Sequence, residues 1–587
     1  MPPTLPTTGA DTQAADLRLR DPALEPAASI AFSFDGRSLS AYEGESIAAA
    51  LTAAGIVDLG RRRDGSSRGV FCGMGLCQEC LVKVDGATSV RACMVPVTNG
   101  MAVESQDYAV ASSLSSSMRG GSAPSRNRPQ VLIVGTGPAG LAAARAAALS
   151  GARTLIVDER SNAGGQYFKQ IAKSHAIVEP QRLDAQAREG KELIKQVEKL
   201  GVAIWRDAMV WGAFGIGEVA VITQGRQHVL APERLVLATG AYERGIPVPG
   251  WTLAGYMTTG AAQTLMRAYR VAPGRRVLVA GNGPLNFQFA ADLVRAGIQV
   301  VAVVEAAAGL GLRHAASVAR AAMAAPRLVW DGIRYLALLR RSGVRIMYGS
   351  AVVAARGNKR IGECTVAQID AASRAIPGTA RTFAVDCVCT GYGFLPSNEM
   401  ARALGCRHTF DSTTGALATV VDEDGLTSVP GVYAIGDAAA FRGAHAARYQ
   451  GFITGCAAAR SLGLALPAAV EDELADSRHR LRKHIAFQAE LWGLFAAPAL
   501  DVQLASADTE LCRCESVTRQ AIDTAVQNGA VSLGEIKRRT RLGMGQCQGR
   551  YCEPLAAALI PPTSRGDELF KFAPRVPFKP IRIRDLL

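Results

Sequence analysis

The stretch "QVLIVGTGPAGLAAARAAALSGARTLIVDE", residues 130–159, decides the fold of the largest part of the chain. Four apolar residues lead into a glycine-rich turn and an alanine-rich helix, and a second apolar run ends in two carboxylates. This order is typical of a strand–helix–strand unit that binds a dinucleotide. A second unit of the same kind follows at residues 275–305. The sequence therefore predicts an α/β protein with two dinucleotide-binding domains.

The glycines of the first turn have separate tasks. Gly135 permits the tight turn, Gly137 lets a pyrophosphate approach the backbone, and Gly140 lets the helix pack closely on the strand. The helix N-terminus then offers N–H donors and positive potential to the phosphates. Asp158, at the end of the second strand, is positioned to bind an adenosine ribose.

Three further segments support a flavin site: "GGQ" (164–166), "LVLATGA" (235–241) and "GVYAIGDAA" (431–439). The set resembles flavoproteins of the glutathione-reductase type over residues 129–470, and Asp437 stands where these hold the ribityl-phosphate part of FAD. The resemblance implies FAD, with NAD or ATP as the competing ligand. The predicted cofactor-binding residues are Gly135, Gly137, Pro138, Ala139, Gly140, Asp158, Glu159, Gly165, Gln166, Thr239, Gly240, Gly436 and Asp437.

The second turn, "GNGPLN" (281–286), has Asn286 where the third glycine belongs. A side chain there is expected to obstruct helix–strand packing and the approach of a phosphate. We therefore favour a retained scaffold whose nucleotide site is impaired over a working nicotinamide site. There is also no C-x-x-C or C-x4-C beside "GGQYFKQ", which argues against disulfide-reductase chemistry.

Eight of the thirteen cysteines form two groups. The first has the spacing C-x4-C-x2-C-x12-C, which matches the plant-type [2Fe–2S] loop better than a zinc site with two short cysteine pairs. Its predicted ligands are Cys72, Cys77, Cys80 and Cys93. The glycines of "CGMGLC" allow backbone N–H groups to face the sulfurs, and the strand-rich surroundings predict a β-grasp ferredoxin domain.

The second group has the spacing C-x-C-x32-C-x4-C, with Cys512, Cys514, Cys547 and Cys552 as predicted ligands. It resembles the small helical [2Fe–2S] module of bacterioferritin-associated ferredoxins, although that family usually ends in C-x2-C. Zinc or an empty site is the alternative. The remaining cysteines are expected to be small buried hydrophobic residues: Cys364, Cys387, Cys389, Cys406 and Cys456.

Bulk composition bounds the other possibilities. A length of 587 residues, with 49% hydrophobic and 20% charged residues, is typical of a soluble protein with several domains. No apolar run reaches the roughly 18 residues of a membrane span, and the N-terminus lacks the pattern of an export signal. We expect a cytoplasmic protein, or one peripheral at the inner membrane.

The net charge of +14 does not indicate nucleic acid, because the basic residues form no stripe interleaved with aromatics. Two anionic clusters and a pyrophosphate would cancel several of these charges. The predicted division of the chain is a disordered N-terminus (1–25), a plant-type ferredoxin domain (26–108), a linker (109–128), a first FAD-binding segment (129–250), an inserted NAD(P)-binding-like domain (251–380), a second FAD-binding segment (381–470), a helical connector (471–505), the second [2Fe–2S] module (506–560) and an extended tail (561–587).

The order of the flavoprotein core, "CRCE" (512–515) and "GMGQCQGRYC" (543–552) resembles the α subunits of bacterial opine oxidases and heteromeric D-hydroxyproline or proline dehydrogenases. It is also similar to the front part of the heterotetrameric sarcosine oxidase α chain. The resemblance covers residues 26–560. It implies a catalytic flavoprotein β subunit, a small γ subunit and an FMN between subunits. Two features depart from it: the fused N-terminal cluster, and a chain that stops before the sarcosine-type α chain does.

We therefore predict the electron-transfer subunit of a multi-subunit dehydrogenase that oxidises the C–N bond of an amino or imino acid. Substrate hydride enters a partner's flavin, and electrons then pass singly through the clusters to an acceptor such as a respiratory quinone. The alternatives are a self-contained NAD(P)H-dependent reductase and a scaffold whose clusters are structural. We assign no catalytic residue; His445 is either an ordinary helix residue or one that approaches a flavin. The tail "RVPFKPIRIRDLL" is expected to lie on a partner subunit or to fray.

Overall fold

The N-terminal unit is a small mixed sheet with one buried helix. A computed structural model of the chain describes residues 16–107, 125–412, 414–560 and 572–582. The elements of this unit are β1 (Leu24–Pro26), β2 (Ser29–Phe34), β3 (Arg37–Tyr42), α1 (Ile47–Ala53), β4 (Gly60–Arg61), β5 (Ser67–Arg68), β6 (Leu81–Val84), β7 (Ala87–Arg91) and β8 (Ala102–Ser105). Five strands form the sheet β3-β2-β8-β6-β7. Helix α1 starts at Ser46, whose hydroxyl accepts a hydrogen bond from Ala49 N, and all its residues are buried.

The first dinucleotide domain is built around a parallel sheet. Its first portion contains β9 (Ser125–Asn127), β10 (Val131–Val134), α2 (Pro138–Leu149), β11 (Thr154–Val157), β12 (His175–Ile177), α3 (Ala185–Lys199), β13 (Ala203–Trp205), β14 (Ala208–Gly215), β15 (Glu218–Thr223), β16 (Arg226–Leu230), β17 (Arg234–Leu237) and β18 (Ala241–Glu243). Strand β10 is buried throughout and pairs in parallel with β11 and β17. Such continuous apolar strands are typical of a sheet covered on both faces.

A second α/β domain is inserted before that sheet is complete. Its elements are β19 (Tyr256–Thr258), α4 (Thr259–Ala268), β20 (Arg276–Gly281), α5 (Pro284–Arg295), β21 (Gln299–Glu305), α6 (Ala315–Ala324), α7 (Pro326–Arg341), β22 (Ile346–Tyr348), β23 (Ser350–Gly357), β24 (Ile361–Gln368), β25 (Arg381–Ala384) and β26 (Cys387–Gly391). Five strands form its parallel sheet β19-β26-β20-β21-β22. The predicted second dinucleotide fold is therefore present.

The chain then returns to the first domain and ends in a helical module. The elements are β27 (Phe394–Pro396), α8 (Glu399–Ala403), β28 (His408–Asp411), β29 (Ala416–Thr419), β30 (Val432–Ala434), α9 (Ala444–Ser461), α10 (Ala468–Leu494), β31 (Glu510–Cys512), β32 (Val517–Thr518), α11 (Arg519–Gln527), α12 (Leu533–Thr540) and α13 (Cys552–Leu559). Strand β30 pairs with β17 and completes the first sheet as β13-β11-β10-β17-β30. In the described parts of the chain, no helix is long and apolar enough to cross a membrane.

Both ends of the chain depart from the predictions. Residues 1–15 lie outside the described ranges, but the expectation of disorder is wrong for residues 16–25. Leu17 and Leu19 are buried there, and Leu19 N donates to Arg270 O at 2.7 Å. Of the predicted linker, residues 109–124 lie outside the described ranges, whereas β9 pairs with β16. The N-terminal segment and the linker's end thus gain partners distant in sequence, which composition does not reveal.

The tail was expected to lie on a partner subunit, but residues 572–582 lie on this chain. Phe578 is buried in the core of the first domain, and its N–H donates to Trp211 O at 3.1 Å. Lys579 forms an ion pair with Glu159 at 2.6 Å. The apolar side chains that alternate with basic ones in this segment therefore pack against the chain itself. The rest of the tail, residues 561–571 and 583–587, lies outside the described ranges.

Candidate functional site

The first dinucleotide turn has the geometry that its glycines predict. Gly135 has a φ of +112°, and a Cβ there would lie 2.3 Å from Ala238 O. A Cβ at Gly140 would lie 2.0 Å from Gly135 O, so only glycine lets helix α2 approach the turn. At Gly137 a Cβ would meet nothing within 4 Å. The open space therefore lies where the α2 N-terminus offers its N–H groups to an anion.

This turn borders a cavity of about 970 Å³ that runs between the two dinucleotide domains. Its volume, and its lining by residues of both domains, suit a dinucleotide-sized ligand. The predicted cofactor residues that line it are Gly135, Gly137, Pro138, Ala139, Asp158, Glu159, Gly165, Gln166, Thr239, Gly240 and Asp437. Gly140 and Gly436 are buried behind the lining, where close packing requires glycine.

The two carboxylates after strand β11 already have protein partners. Asp158 accepts hydrogen bonds from the N–H groups of Thr136 at 2.7 Å and Arg160 at 2.9 Å, so it also fixes the turn. The Thr136 hydroxyl also donates to Asp158. Since a carboxylate has about four acceptor positions, one is left for a ribose hydroxyl. Glu159 instead pairs with Lys579, and Arg91 lies 3.9 Å away. These two cations hold the pKa of Glu159 below its usual range despite burial, which by itself would raise it.

Asp437 follows strand β30, seven residues before helix α9 begins, and also lines the cavity. Its carboxylate accepts hydrogen bonds from the N–H groups of Arg442 at 3.1 Å and Gly443 at 3.2 Å. Burial raises the pKa of Asp437 to about 6. His445 also lines the cavity, and its Nε2 lies 3.0 Å from the hydroxyl of Tyr167. Residues 437–445 therefore present polar groups to the cavity.

Sequence reasoning missed two ionisable groups in the cavity wall, Lys169 and Glu243. Burial lowers the pKa of Lys169 to about 7 and raises the pKa of Glu243 to about 7. Glu243 accepts a hydrogen bond from Gly260 N at 2.8 Å through one carboxylate oxygen, and the other oxygen has no partner among the described residues. Neither residue belongs to a short motif, so only the fold brings them to the cavity. Buried groups with such pKa values are typical of functional sites.

The second dinucleotide turn is partly covered, but not by Asn286 as predicted. Asn286 does not obstruct helix packing: it is buried, donates to Gly391 O at 2.9 Å and accepts a hydrogen bond from Thr259 at 3.0 Å. The obstruction comes from elsewhere. Asn282, in the turn itself, donates to Phe495 O at 3.0 Å, just beyond the C-terminal end of helix α10. The chain thus partly covers its own second turn with a carbonyl group, while Pro284, Leu285 and Phe287, which follow the turn, line the cavity.

The first cysteine group is arranged around a wrapped loop. Cys72 contacts Cys77, and Cys80 contacts Cys93, so the four thiols form two pairs. The N–H groups of Met74 and Cys77 point at Cys72 Sγ, at 3.5 and 3.4 Å. Burial raises the pKa of Cys72, but the Cys77 thiol and these N–H groups outweigh it and lower the pKa to about 6. The pKa of Cys80 is lowered as well, whereas burial and the neighbouring thiols raise the pKa values of Cys77 and Cys93, so one thiol of each pair is favoured as the thiolate.

The second group shows the same close spacing of sulfurs. Cys514 Sγ lies 3.8 Å from Cys512 Sγ and 3.6 Å from Cys547 Sγ, and Cys552 contacts Cys512. Two thiolates on one tetrahedral metal at a metal–sulfur distance of about 2.3 Å lie about 3.8 Å apart. Close contacts of this kind suit the two irons of a [2Fe–2S] cluster.

The sequence that the two cysteine groups share, Gly-Met-Gly-x-Cys-Gln, has a similar backbone conformation in both. Gly73 and Gly543, the first residues of each "GMG", have φ of +59° and +72°. Five residues later Gln78 and Gln548 have φ of +60° and +56°. Each glutamine side chain donates to the carbonyl oxygen three residues before it, at 3.1 and 3.0 Å. One local conformation therefore wraps a cysteine in two domains that otherwise differ in fold.

These observations agree with comparisons of the sequence with known families. Residues 129–451 match the pyridine nucleotide-disulphide oxidoreductase family. The chain belongs to this family. Residues 27–108 match a 2Fe-2S iron-sulfur cluster binding domain, and residues 511–561 match a BFD-like [2Fe-2S] binding domain. The predicted fold class is thereby confirmed. As a member of the family, the chain is an oxidoreductase with a flavin-binding domain and two [2Fe–2S] binding domains.

Relatives within the family are named as components of larger enzymes. The chain is 32% identical to hydrogen cyanide synthase subunit HcnB of Pseudomonas aeruginosa over 77% of its length and 96% of that protein. It is 30% identical to an opine oxidase subunit of Agrobacterium tumefaciens over 78% of its length and 91% of that protein. The predicted resemblance to opine oxidase subunits is confirmed. The crystal structure of L-proline dehydrogenase from P. horikoshii shares the fold, with a TM-score of 0.68 and 21% identity, over 96% of this chain and 98% of that one.

Paired glycine substitutions test the dinucleotide turn. Gly140→Ala places a methyl group against a backbone oxygen, and we expect it to lower the free energy of unfolding by about 3 kcal/mol. Gly137→Ala places the methyl group in open space, so we expect normal stability but loss of the bound nucleotide. Denaturant unfolding and the flavin content of the purified protein measure the two effects. A Gly137→Ala variant that keeps its flavin would contradict the assignment.

Cysteine substitutions test the cluster sites. Cys72→Ala removes a thiolate from the first group, and we expect the iron and acid-labile sulfide content to fall by about half. Cys456→Ala is the matched control, because this cysteine is buried in helix α9, in a hydrophobic cluster that contains no cysteine of either group. It should leave both contents unchanged. Equal iron content in the two variants would show that the first group holds no cluster.

Proposed function

We propose that this chain is the electron-transfer subunit of a heteromeric dehydrogenase that oxidises the C–N bond of an amino or imino acid. The observation that carries this proposal is the arrangement of one nucleotide cavity and two cysteine loops within a single chain. Met74 and Leu76 of the first loop line the cavity itself. A flavin accepts two electrons and releases them singly, and each [2Fe–2S] cluster carries one.

The cavity residues support FAD as the bound flavin. Gly137 leaves room for a pyrophosphate at the α2 N-terminus, Asp158 has acceptor capacity for a ribose, and Asp437 lines the same cavity. Lys169 and Glu243 lie where the two domains and the first cysteine loop meet. They control the charge at the end of the cavity nearest the cluster loop. An FMN, where present, would lie at the interface with the catalytic subunit.

The covered second turn argues against nicotinamide as the electron source. The carbonyl groups beyond the C-terminal end of α10 carry partial negative charge. Phe495 O points at Asn282, and the Phe495 ring packs on Phe287 with centroids 6.2 Å apart. A nicotinamide dinucleotide would have to displace this segment and bring its anionic pyrophosphate to a negative helix end. Electrons are therefore expected from a substrate oxidised on another subunit.

The inserted domain offers a surface for that catalytic subunit. Large apolar side chains are exposed just before α6 and along α6 and α7: Leu312 is 96% exposed, Met323 76% and Trp330 60%. Exposed apolar clusters of this kind are typical of interaction surfaces. The surrounding charge is strongly basic, since residues 310–341 contain six arginines and one acidic residue, Asp331. An acidic face on a flavoprotein β subunit would complement it. The electron acceptor of the complex is then a respiratory quinone or a similar carrier.

Anaerobic reduction distinguishes this proposal from a self-contained NAD(P)H-dependent reductase. The isolated holo-chain, mixed with NADH or NADPH, should keep its oxidised flavin and cluster absorbance. The complex purified with its catalytic subunit should bleach when the amino-acid or opine substrate is added. Dithionite, which reduces both preparations, is the control for competent cofactors. Rapid bleaching of the isolated chain by NADH or NADPH would overturn the proposal.

The pKa values of Lys169 and Glu243 predict a pH dependence. As the pH rises through about 7, Lys169 loses its positive charge and Glu243 gains a negative one. The cavity becomes more negative, so an anionic reduced flavin is stabilised less and its midpoint potential should fall more steeply with pH than for free flavin. Lys169→Met should flatten this dependence, and the exposed Lys173→Met should not. Identical pH profiles in the wild type and Lys169→Met would contradict the assignment.

A further inference from the structure

The two cysteine loops touch each other through aromatic side chains. Phe71 immediately precedes Cys72, and Tyr551 immediately precedes Cys552. Their rings are 5.3 Å apart between centroids, at an angle of 70°. Both side chains are buried, with 1% and 4% exposure. The contact therefore joins residues that are covalent neighbours of predicted ligands of both clusters.

A buried ion pair crosses the same contact. Arg513 lies between Cys512 and Cys514, and Glu79 lies between Cys77 and Cys80. Arg513 Nη2 is 3.4 Å from Glu79 Oε2, and both side chains are at most 5% exposed. The guanidinium also lies over the Phe71 ring at 4.0 Å from its centroid. Arg513 thus belongs to the second cysteine loop in sequence but contacts residues of the first loop in the fold.

The surroundings fix this pair in place. Arg513 Nη1 donates to Trp251 O at 2.6 Å, and Arg62 pairs with the same oxygen of Glu79 at 2.6 Å. Glu510 also pairs with Arg62, at 3.3 Å. Two buried arginines, Arg62 and Arg513, therefore share the Glu79 carboxylate. Charges in such a dry contact act over several ångströms with little screening.

We propose that this contact, made by Phe71, Tyr551, Glu79 and Arg513, is the route by which an electron passes between the two clusters. The inference rests on the proposed electron-transfer function. In the step, the cluster of one loop loses one electron and is oxidised, and the cluster of the other loop gains it and is reduced. No proton or other atom is transferred. The electron enters from the flavin reduced by the substrate and leaves to the acceptor of the complex.

Arg513 and Glu79 are positioning residues for this step because they set the charge that both clusters experience. Each cluster becomes more negative by one charge when it is reduced. The positive Arg513 therefore stabilises both reduced forms, and the negative Glu79 destabilises both. Neutralising either residue should shift the midpoint potentials of both clusters together, in opposite directions for the two substitutions. A purely structural role does not produce opposite shifts.

The experiment is a redox titration of the intact holo-chain followed by EPR, with dithionite as the reductant. In Arg513→Gln we expect the midpoint potentials of both [2Fe–2S] signals to fall, and in Glu79→Gln we expect both to rise. Arg538→Gln is the matched control, because Arg538 is exposed on helix α12 of the same module. Arg513→Lys, which retains the charge, should restore values close to those of the wild type.

The possible results distinguish a failure of the proposed electron route from a failure of the proposed function. Iron and sulfide are measured on each variant, and the potentials are compared only where both clusters are present. If Arg513→Gln loses a cluster, Glu79→Gln still tests whether both potentials rise, and Arg513→Lys tests whether the retained charge keeps both close to those of the wild type. A shift of only one signal, or shifts of the same sign in the Arg513 and Glu79 variants, would overturn the proposed route. Wild-type protein without two EPR-active clusters would instead overturn the proposed function.

Discussion

The buried charge group formed by Arg62, Glu79 and Arg513 is the interaction on which the rest of the assembly depends. It joins a domain near the start of the chain to a module near its end, and Glu79 and Arg513 are 434 residues apart. Removing one partner of a buried ion pair typically costs about 3–5 kcal/mol, because the remaining charge is left without compensation. The two cysteine loops are thereby held in one orientation, which an electron path between them requires.

The inserted domain supplies the platform for this contact, although its own nucleotide turn is covered. Trp251 Nε1 donates to Glu510 O at 2.8 Å, beside the second cysteine group. Thr258 N donates to Phe71 O at 2.9 Å, beside the first. A Cβ on Gly73 would lie 2.9 Å from Ala261 Cα, so the first loop packs directly on helix α4. The domain has thus kept its fold as a support for both loops and for the cavity wall.

Local patterns in the sequence predict much of this protein. Cysteine spacing identifies both groups, and Gly135, Gly137 and Gly140 locate the cavity, because these signals lie within one turn or loop. The contacts that connect the domains leave no such local pattern. Lys169 and Glu243 reach the cavity only through the tertiary fold, and Arg513 resembles any basic residue in a charged module. The tail was misjudged for the same reason, since burial of Phe578 depends on a groove formed by distant strands.

Magnetic interaction between the two reduced clusters tests the central claim most directly. The protein is reduced fully with dithionite, and its EPR spectrum is compared with that of a partly reduced sample in which one cluster predominates. If the loops are in contact as described, the signals of the fully reduced sample should be broadened or split, and each cluster should relax faster than it does alone. Two sharp signals that simply add, with unchanged relaxation, would contradict the account.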